Sequence, residues 1–334
     1  MMVKRICVYI SIIITVIFIN TSLAAKENKV KQIHFKGGTV VEGHVIEMNT
    51  NIIKILTESG KIVIRPADDV VFLENLPGKN VKANVTDIEQ QDRVLGLWHK
   101  HSWELRPEIS FIEYEEPDVM QEKGFMYGIG GSYAYHHDNI MLKMEGRYSY
   151  GQVDYKNSGT IENIDDYIIE LRGLMGYDFS IAYIIIITPY AGFGYRYLND
   201  NASGMMSSTG SYGYERESNY IYSPVGVETN FLLINDWSFG INFEFDIFWQ
   251  GKQKSHLGEV AGYDDIENDQ DNGYGVRGSI KLQKSNGTVD YIIEPFFRYW
   301  NIEESEATRD SAGRWWVEPK NNSTEVGIMF IVRF

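Results

Sequence analysis

Seven histidines and 46 acidic side chains are the groups with which this 334-residue chain would have to do acid–base or metal chemistry. His99 and His101 stand one residue apart and offer two ring nitrogens to a metal, but no third ligand accompanies them, and a structural zinc site is tetrahedral. Trp98 and Trp103 flank the pair, and such a cluster fits a membrane–water interface better. His256 has Lys254 two residues before it and Asp264 and Asp265 after it, while Asp165 and Asp166 are adjacent. A hydrolytic base must lie within hydrogen-bond reach of its partner, and neither spacing supplies that. In the acidic run YDDIENDQDNG (263–273), Asp269, Asp271 and Gly273 match part of a calcium loop, without the closing bidentate glutamate. It reads as a hydrated external loop. A convincing Ser–His pair on an apolar face is absent too. No catalytic, cofactor or metal site is expected, and the chain is not expected to be an enzyme.

The polar groups with a recurring pattern lie elsewhere, on strands. The last thirteen residues read NSTEVGIMFIVRF (322–334). Counting by twos puts Thr324, Val326, Ile328, Phe330, Val332 and Phe334 on one face, and Glu325, Gly327, Met329, Ile331 and Arg333 on the other. Nine similar runs precede it, giving ten: 105–115, 124–135, 140–151, 166–178, 183–197, 218–231, 237–250, 273–284, 288–301 and 322–334. The seventh is the clearest. Trp237, Phe239, Ile241, Phe243, Phe245, Ile247 and Trp249 share one side, with Ser238, Gly240, Asn242, Glu244, Asp246 and Gln250 on the other. An apolar row with tryptophan at both ends suits a lipid face between two aromatic girdles.

Connections alternate between short, near 136–138, 179–180, 234–236 and 285–287, and long, at 116–123, 152–165, 198–217, 251–272 and 302–321. Outer-membrane barrels show that asymmetry, with tight periplasmic turns and longer external loops. The third loop, rich in Ser, Gly and Asn with Met205 and Met206, reads as mobile.

The face opposite the lipid then carries Arg106, Lys143, Arg147, Arg172, Arg196, Arg277, Lys281, Arg298 and Arg333 against Glu108, Glu145, Glu170, Glu228, Glu244, Asp246, Asp290, Glu294 and Glu325. Charges in a narrow bore must pair or cost several kcal/mol. Ten strands stand nearer the filled barrels of about 8 than the open bores of about 16. A charge-paired, mostly closed lumen is therefore expected, with a narrow channel for ions or small solutes as the alternative.

Ahead of the strands, Lys4 and Arg5, the apolar run 7–19 and Ser22-Leu23-Ala24 follow the plan of a secretory signal peptide over 1–25. Its loss takes 31 basic residues to 29 against 46 acidic, a net −17, and removes the sole cysteine, Cys7. So acidic a chain lacks the basic footprint of a nucleic-acid binder. Residues 31–75 hold short apolar runs separated by Gly37-Gly38, Asn51 and Ser59-Gly60, which argues a small all-β domain. The segment resembles Sm-like or SH3-like domains, implying a strongly bent five-stranded sheet. Residues 76–103 read as a linker, with a capping box at Thr86 and Glu89 opening a short helix.

Residues 104–334 as a whole resemble the small outer-membrane β-barrels of Gram-negative bacteria, of the OmpA-like or opacity-protein kind. That resemblance implies a ten-stranded antiparallel transmembrane barrel in the outer membrane, with the small domain on the periplasmic side. It also implies contact with lipid and lipopolysaccharide, and Phe334 as a signal to the barrel assembly machinery. A periplasmic partner would fall to residues 31–75. The omptins, outer-membrane proteases with ten strands, imply a pair of aspartates facing an Asp–His couple at the outer rim. That motif is not reproduced around Asp165, Asp166 or His256. The expected work is structural or in surface contact.

Overall fold

The computed structural model describes residues 29–48, 52–57, 62–80, 100–137, 139–181, 185–233 and 236–334. The expected leader and the Thr86–Glu89 capping box lie outside the described residues. The chain divides into two compact units, Met1–Gln91 and Asp92–Phe334.

In the first unit, β1 (Lys29–Phe35), β2 (Val40–Met48), β3 (Ile52–Thr57), β4 (Ile62–Pro66) and β5 (Val70–Asn80) form an antiparallel sheet in the order β4-β3-β2-β1-β5. Gly37 and Gly38, at φ 88° and 81°, make the β1–β2 turn, a backbone region that glycine enters without steric cost. A single 3-10 turn, Ala67–Asp69, joins β4 to β5. Ile33, Phe35, Ile53 and Ile55 are the buried core, with Val41, Val45, Val63 and Val70 packed against them. β5 pairs with β1 as far as Asn80, so residues 76–80 extend this sheet and are not linker.

The second unit is a closed ring of ten long antiparallel strands. They are β6 (His101–Glu116), β7 (Met120–His137), β8 (Ile140–Asn157), β9 (Gly159–Tyr177), β11 (Ile185–Asn201), β12 (Glu215–Leu232), β13 (Trp237–Ser255), β15 (Gly273–Ser285), β16 (Asp290–Ile302) and β19 (Asn321–Arg333). Each expected run falls on one of them. Short strands accompany these: β10 (Phe179–Ile181) along β11, β14 (Ile266–Gln270) along β13, and the pair β17 (Thr308–Arg309) and β18 (Trp315–Trp316). The ring closes where β19 pairs with β6 and where β9 pairs with β11.

The outer wall carries two belts of touching rings. Near the short turns, Trp103 tilts against Tyr133 at 4.6 Å, Tyr177 meets Phe179 at 4.8 Å and Phe231 meets Phe239 at 6.2 Å. His101 belongs here, its Nδ1 2.6 Å from the Tyr133 hydroxyl. Higher up, Tyr148–Tyr167–Tyr197 and Phe245–Tyr274–Tyr299 run across neighbouring strands at 5.8–6.2 Å. Between the belts stand Leu171, Met175, Phe193, Ile241, Phe243 and Phe297, exposed and apolar. Two girdles bracketing an apolar band are the mark of a barrel in a bilayer.

Three sequence expectations change. The connections at 116–123 and 152–165 are not loops. β6 and β7 run to a three-residue turn at 117–119, and β8 and β9 meet at Ser158. An 18-residue strand at about 3.3 Å per residue overshoots the roughly 25 Å apolar band even when tilted. The polar residues there ladder on above the bilayer, where hydropathy gives no strand signal. Gln250, expected inside, is exposed: a bulge sets Tyr222 against Phe248 but Ile221 against Gln250. The extra residue at Trp249 shifts parity, as bulges do.

The third change concerns residues 202–214, which grip the β8–β9 tip. The Ser207 and Thr209 hydroxyls donate to the Ser158 carbonyl at 2.9 and 2.6 Å, and Ser208 and Thr160 exchange backbone and hydroxyl bonds. Met205 packs onto the interior apolar cluster. The serines read as mobility are, with Thr209, the groups that fasten this loop.

Candidate functional site

The inward face of β6 is a scale along the bore: Glu104, Arg106, Glu108, Ser110, Ile112, Tyr114, Glu116, from the short-turn end to the loop end. Alternate residues of a strand share a face, so each sits one step further out and each belongs to a different layer.

At the level of Glu104 and Arg106 the bore holds a polar cavity of about 140 Å³, lined by Lys143, Glu145, Arg172, Glu228, Glu244, Lys281, Glu294 and Arg333 among others. Most of its charges are matched in place. Lys143 lies 2.8 Å from Glu145, Lys281 2.9 Å from Glu228, and Arg333 2.8 Å from Glu104 and 3.7 Å from Asp290. Arg106 reaches Glu145 at 3.2 Å. Glu228 keeps 24% of its side chain exposed, so solvent enters from this end.

At Glu108 the bore is crossed by an ion-pair layer. Arg147 of β8 meets Glu108, Glu170 and Glu325 at 2.9–3.1 Å. Arg298 of β16 meets Glu108 and Glu325 at 3.0 Å. Arg277 of β15 donates to Glu170 on the opposite wall at 3.0 Å and to Asp246 at 2.6 Å. Arg172 pairs with Glu244. Tyr222 donates its hydroxyl to Glu170 at 2.6 Å. Carboxylates as deep as Glu170, Glu244 and Asp246, each no more than 2% exposed, are tolerable only because guanidinium forks meet them with charge-assisted bonds.

Beyond this layer the bore turns apolar, a feature absent from the sequence reading. Ile112, Tyr114, Met120, Met126, Val153, Ile161, Ile164, Ile168 and Leu198 form one buried cluster, and Tyr220, Tyr222, Phe248, Trp300 and Ile302 another. A bulge at Asn163, φ 60°, lets both Ile161 and Ile164 point inward. Arg196, counted in the sequence among paired charges, lies here without an ion pair among the described residues. Its guanidinium stands 5.7 Å from the Tyr220 ring and 5.8 Å from the Trp300 ring, and its Nε and one terminal nitrogen are unbonded. Aromatic faces attract a guanidinium and take the place of the expected carboxylate. Glu294 also lacks an ion pair among the described residues and accepts the Ser279 hydroxyl.

The outermost layer is acidic. Arg216 holds Glu116, Glu122 and Asp200, each at 2.8 Å. Glu318, from the last loop, is buried beside them; burial and then Glu116 push its carboxyl up to about 8.

Outside the bore, Asp165 and Asp166 point to opposite sides of β9. Asp165 is exposed and accepts from Tyr150 and Gln152, whereas Asp166 is buried inside, so they cannot act as a pair. Asp269 lies in β14 opposite Lys252, a strand residue rather than a loop ligand, and Asp264 accepts from Ser311. His256 does find a carboxylate, in Glu217 of β12 at 2.6 Å, and that bond holds the Glu217 carboxyl below its usual range. The hairpin register contained the signal: Glu217 pairs with Lys254 and Arg216 with Ser255, which carries His256 to Glu215 and its neighbour.

No protein-family model matches the sequence, and no curated protein sequence matches it. Among solved structures the chain is similar to the outer membrane protease OmpT from Escherichia coli, with a TM-score of 0.53 and 8% identity over 70% of this chain and 96% of that one. It is also similar to the translocator domain of the autotransporter NalP from Neisseria meningitidis, at TM-score 0.38 and 11% identity over 73% and 95% of the two chains. For Neisserial surface protein A the TM-score is 0.29 and the identity 10%, over 69% and 95%. At 8% identity the likeness to OmpT is one of fold, the outer-membrane β-barrel.

Proposed function

We propose that this chain is an integral outer-membrane protein of a Gram-negative bacterium whose barrel is a closed scaffold without catalytic activity. Its work is structural or in surface contact. One observation carries the reading: in the outward direction a paired ionic layer is followed by a packed apolar layer, and the cavity on the other side is a dead end. An ion crossing that stopper would shed its water among Ile112, Ile168 and Trp300 and, if a cation, meet the guanidinium of Arg196.

Surface contact is supported by the far end, where loops 256–272 and 303–320 are knitted into one face. Arg314 stacks over Tyr263 at 4.6 Å, Asn268 donates to the carbonyls of Glu306 and Trp316, and Trp315 is left exposed. An even strand count returns both ends of the barrel to the short-turn side, which we assign to the periplasm together with residues 29–80. The strand order of that small sheet, with its 3-10 turn before the last strand, supports an Sm-like or SH3-like reading and a periplasmic partner for it. The opposed directions of Asp165 and Asp166 argue against omptin-like proteolysis.

Single-channel recording in planar bilayers tests the proposal. Purified, heat-modifiable barrel is expected to give no steady conductance. Stable openings of uniform size would replace the scaffold by the narrow channel.

A further inference from the structure

Above the upper tyrosine belt, on the outer wall, three side chains turn their ligating atoms toward one point. Glu215 and Glu217 leave the loop end of β12 two residues apart, hence on one face. His256 follows β13 directly, and its backbone N–H donates to the Glu215 carbonyl at 2.9 Å. One ligating atom from each of the three lies within 4.8 Å of the other two.

The groups behind them are arranged as supports. Asp265 Oδ2 stands 3.7 Å from His256 Nδ1, the ring nitrogen turned away from the glutamates. The Gly258 N–H holds that carboxylate through its other oxygen at 3.0 Å. The Tyr197 hydroxyl donates to Glu217 Oε2 at 3.0 Å. Asn199 is 1% exposed, its amide nitrogen 2.7 Å from Glu215 Oε1, while its Oδ1 has no partner. A half-turn of the amide would bring that unbonded carbonyl to the Glu215 side in place of the NH2.

We infer that Glu215, Glu217 and Nε2 of His256 bind one divalent transition-metal ion of the zinc class. An imidazole with carboxylates suits Zn²⁺ better than Ca²⁺ or Mg²⁺, which take oxygen donors alone. A ligating histidine almost always gives its other N–H to a carboxylate, backbone carbonyl or water, and Asp265 stands on that side of the ring at 3.7 Å. Three protein ligands leave a fourth position for water or an external oxygen. The ion would fasten the start of loop 256–272 to the β12 wall, joining elements that backbone pairing alone leaves at a strand end. No local spacing joins the ligands, because two come from β12 and the third follows β13.

The test uses the full chain refolded in detergent, stripped with a chelator and titrated with Zn²⁺ alone. Bound metal is counted after gel filtration, and its shell is read by X-ray absorption. One ion per chain with an imidazole among oxygen donors is expected. His256→Ala and Glu217→Gln should abolish retention, and Asp265→Asn should weaken it about 10–100-fold. Glu267→Gln, on the exposed side of β14, should bind as the parent does. No retained zinc in the parent chain would overturn the inference, as would unchanged binding in both ligand variants. So would displacement by equimolar Ca²⁺. If a ligand variant fails to refold, the parent's absorption spectrum decides, and a shell without imidazole overturns the site.

Discussion

Arg147 reaches across the bore from β8 to grip both oxygens of Glu325 on β19, each at 3.1 Å, and Arg298 holds the same carboxylate from a third strand at 3.0 Å. The partners of Arg298 are thus Glu325 and Glu108, and Glu294 is not among them. Arg147→Ala strips a cation from three buried acids and should cost about 3–5 kcal/mol, the range for breaking a buried pair. Arg298→Ala should cost less, since Arg147 still faces Glu108 and Glu325. In a double-mutant cycle read by urea unfolding in detergent, Arg298 and Glu325 should couple by about 0.5–3 kcal/mol, while Arg298 and Glu294 should add within about 0.5. Equal coupling of both carboxylates would show the layer is wrongly drawn.

The same chemistry predicts opposite outcomes for two other arginines. Arg196 leaves no carboxylate behind when removed, so Arg196→Met, which keeps an unbranched stem between Tyr220 and Trp300, should be neutral or stabilising. Arg277→Met orphans Asp246 and leaves Glu170 to Arg147 alone, and it should be among the most damaging changes in the bore. Melting points of the two variants compared with the parent decide. Equal losses would mean Arg196 has an anionic partner after all.

Glu318 gives a pH dependence. Its carboxyl is raised from the ordinary 4.5 to about 8, so between those values the folded chain keeps a proton that the unfolded chain releases. Stability from this group therefore falls as pH climbs from about 4.5 to 8 and is level above that. Glu318→Gln should leave stability near pH 4 unchanged and raise it above pH 8. The difference between variant and parent isolates this group from the other acids. A difference that does not grow with pH would remove Glu318 as the source.

Gly159 closes the β8–β9 turn at φ +97°, and a Cβ there would come 2.8 Å from Thr209 Oγ1 and 2.9 Å from Ser208 Oγ. Gly159→Ala is thus both strained and obstructive. It should unseat loop 202–214 and make it the first site of cleavage when protease is added to intact cells, while the parent loop resists. Equal cleavage of both would show that the loop is not held by that tip.

The strands and the lipid face were legible because exposure to hydrocarbon imposes period two over some ten residues at a time. Trp237 to Ile247 shows it without a break. Legibility ended where that pressure ends. Above the girdle Asp154 pairs with Lys123 and Asp165 with Gln152, yet nothing in their types demands a strand. Bulges at Trp249 and Asn163 reset parity, turning Gln250 outward and Gln253 and Ile161 inward. The membership of the bore could be counted from alternation, but pairing across it depends on which walls face each other. For that reason Arg196 was assigned a carboxylate and received Tyr220 and Trp300 instead. His256 and Glu217 were missed because one lies at the end of β13 and the other in β12.

The ionic layer also bears on the order in which the barrel is made. Glu108 stands on the first strand of the ring and Glu325 on the last, and these two strands pair only when the ring closes. Until then Arg147 and Arg298 have no complete set of acids to face, and water must solvate the charges of an open sheet. Closure of the seam and dehydration of the layer are therefore one event, an electrostatic latch thrown at the final step. A barrel so latched should be slow to reopen, because the seam cannot part without stranding Glu108 and Glu325 in the dry interior.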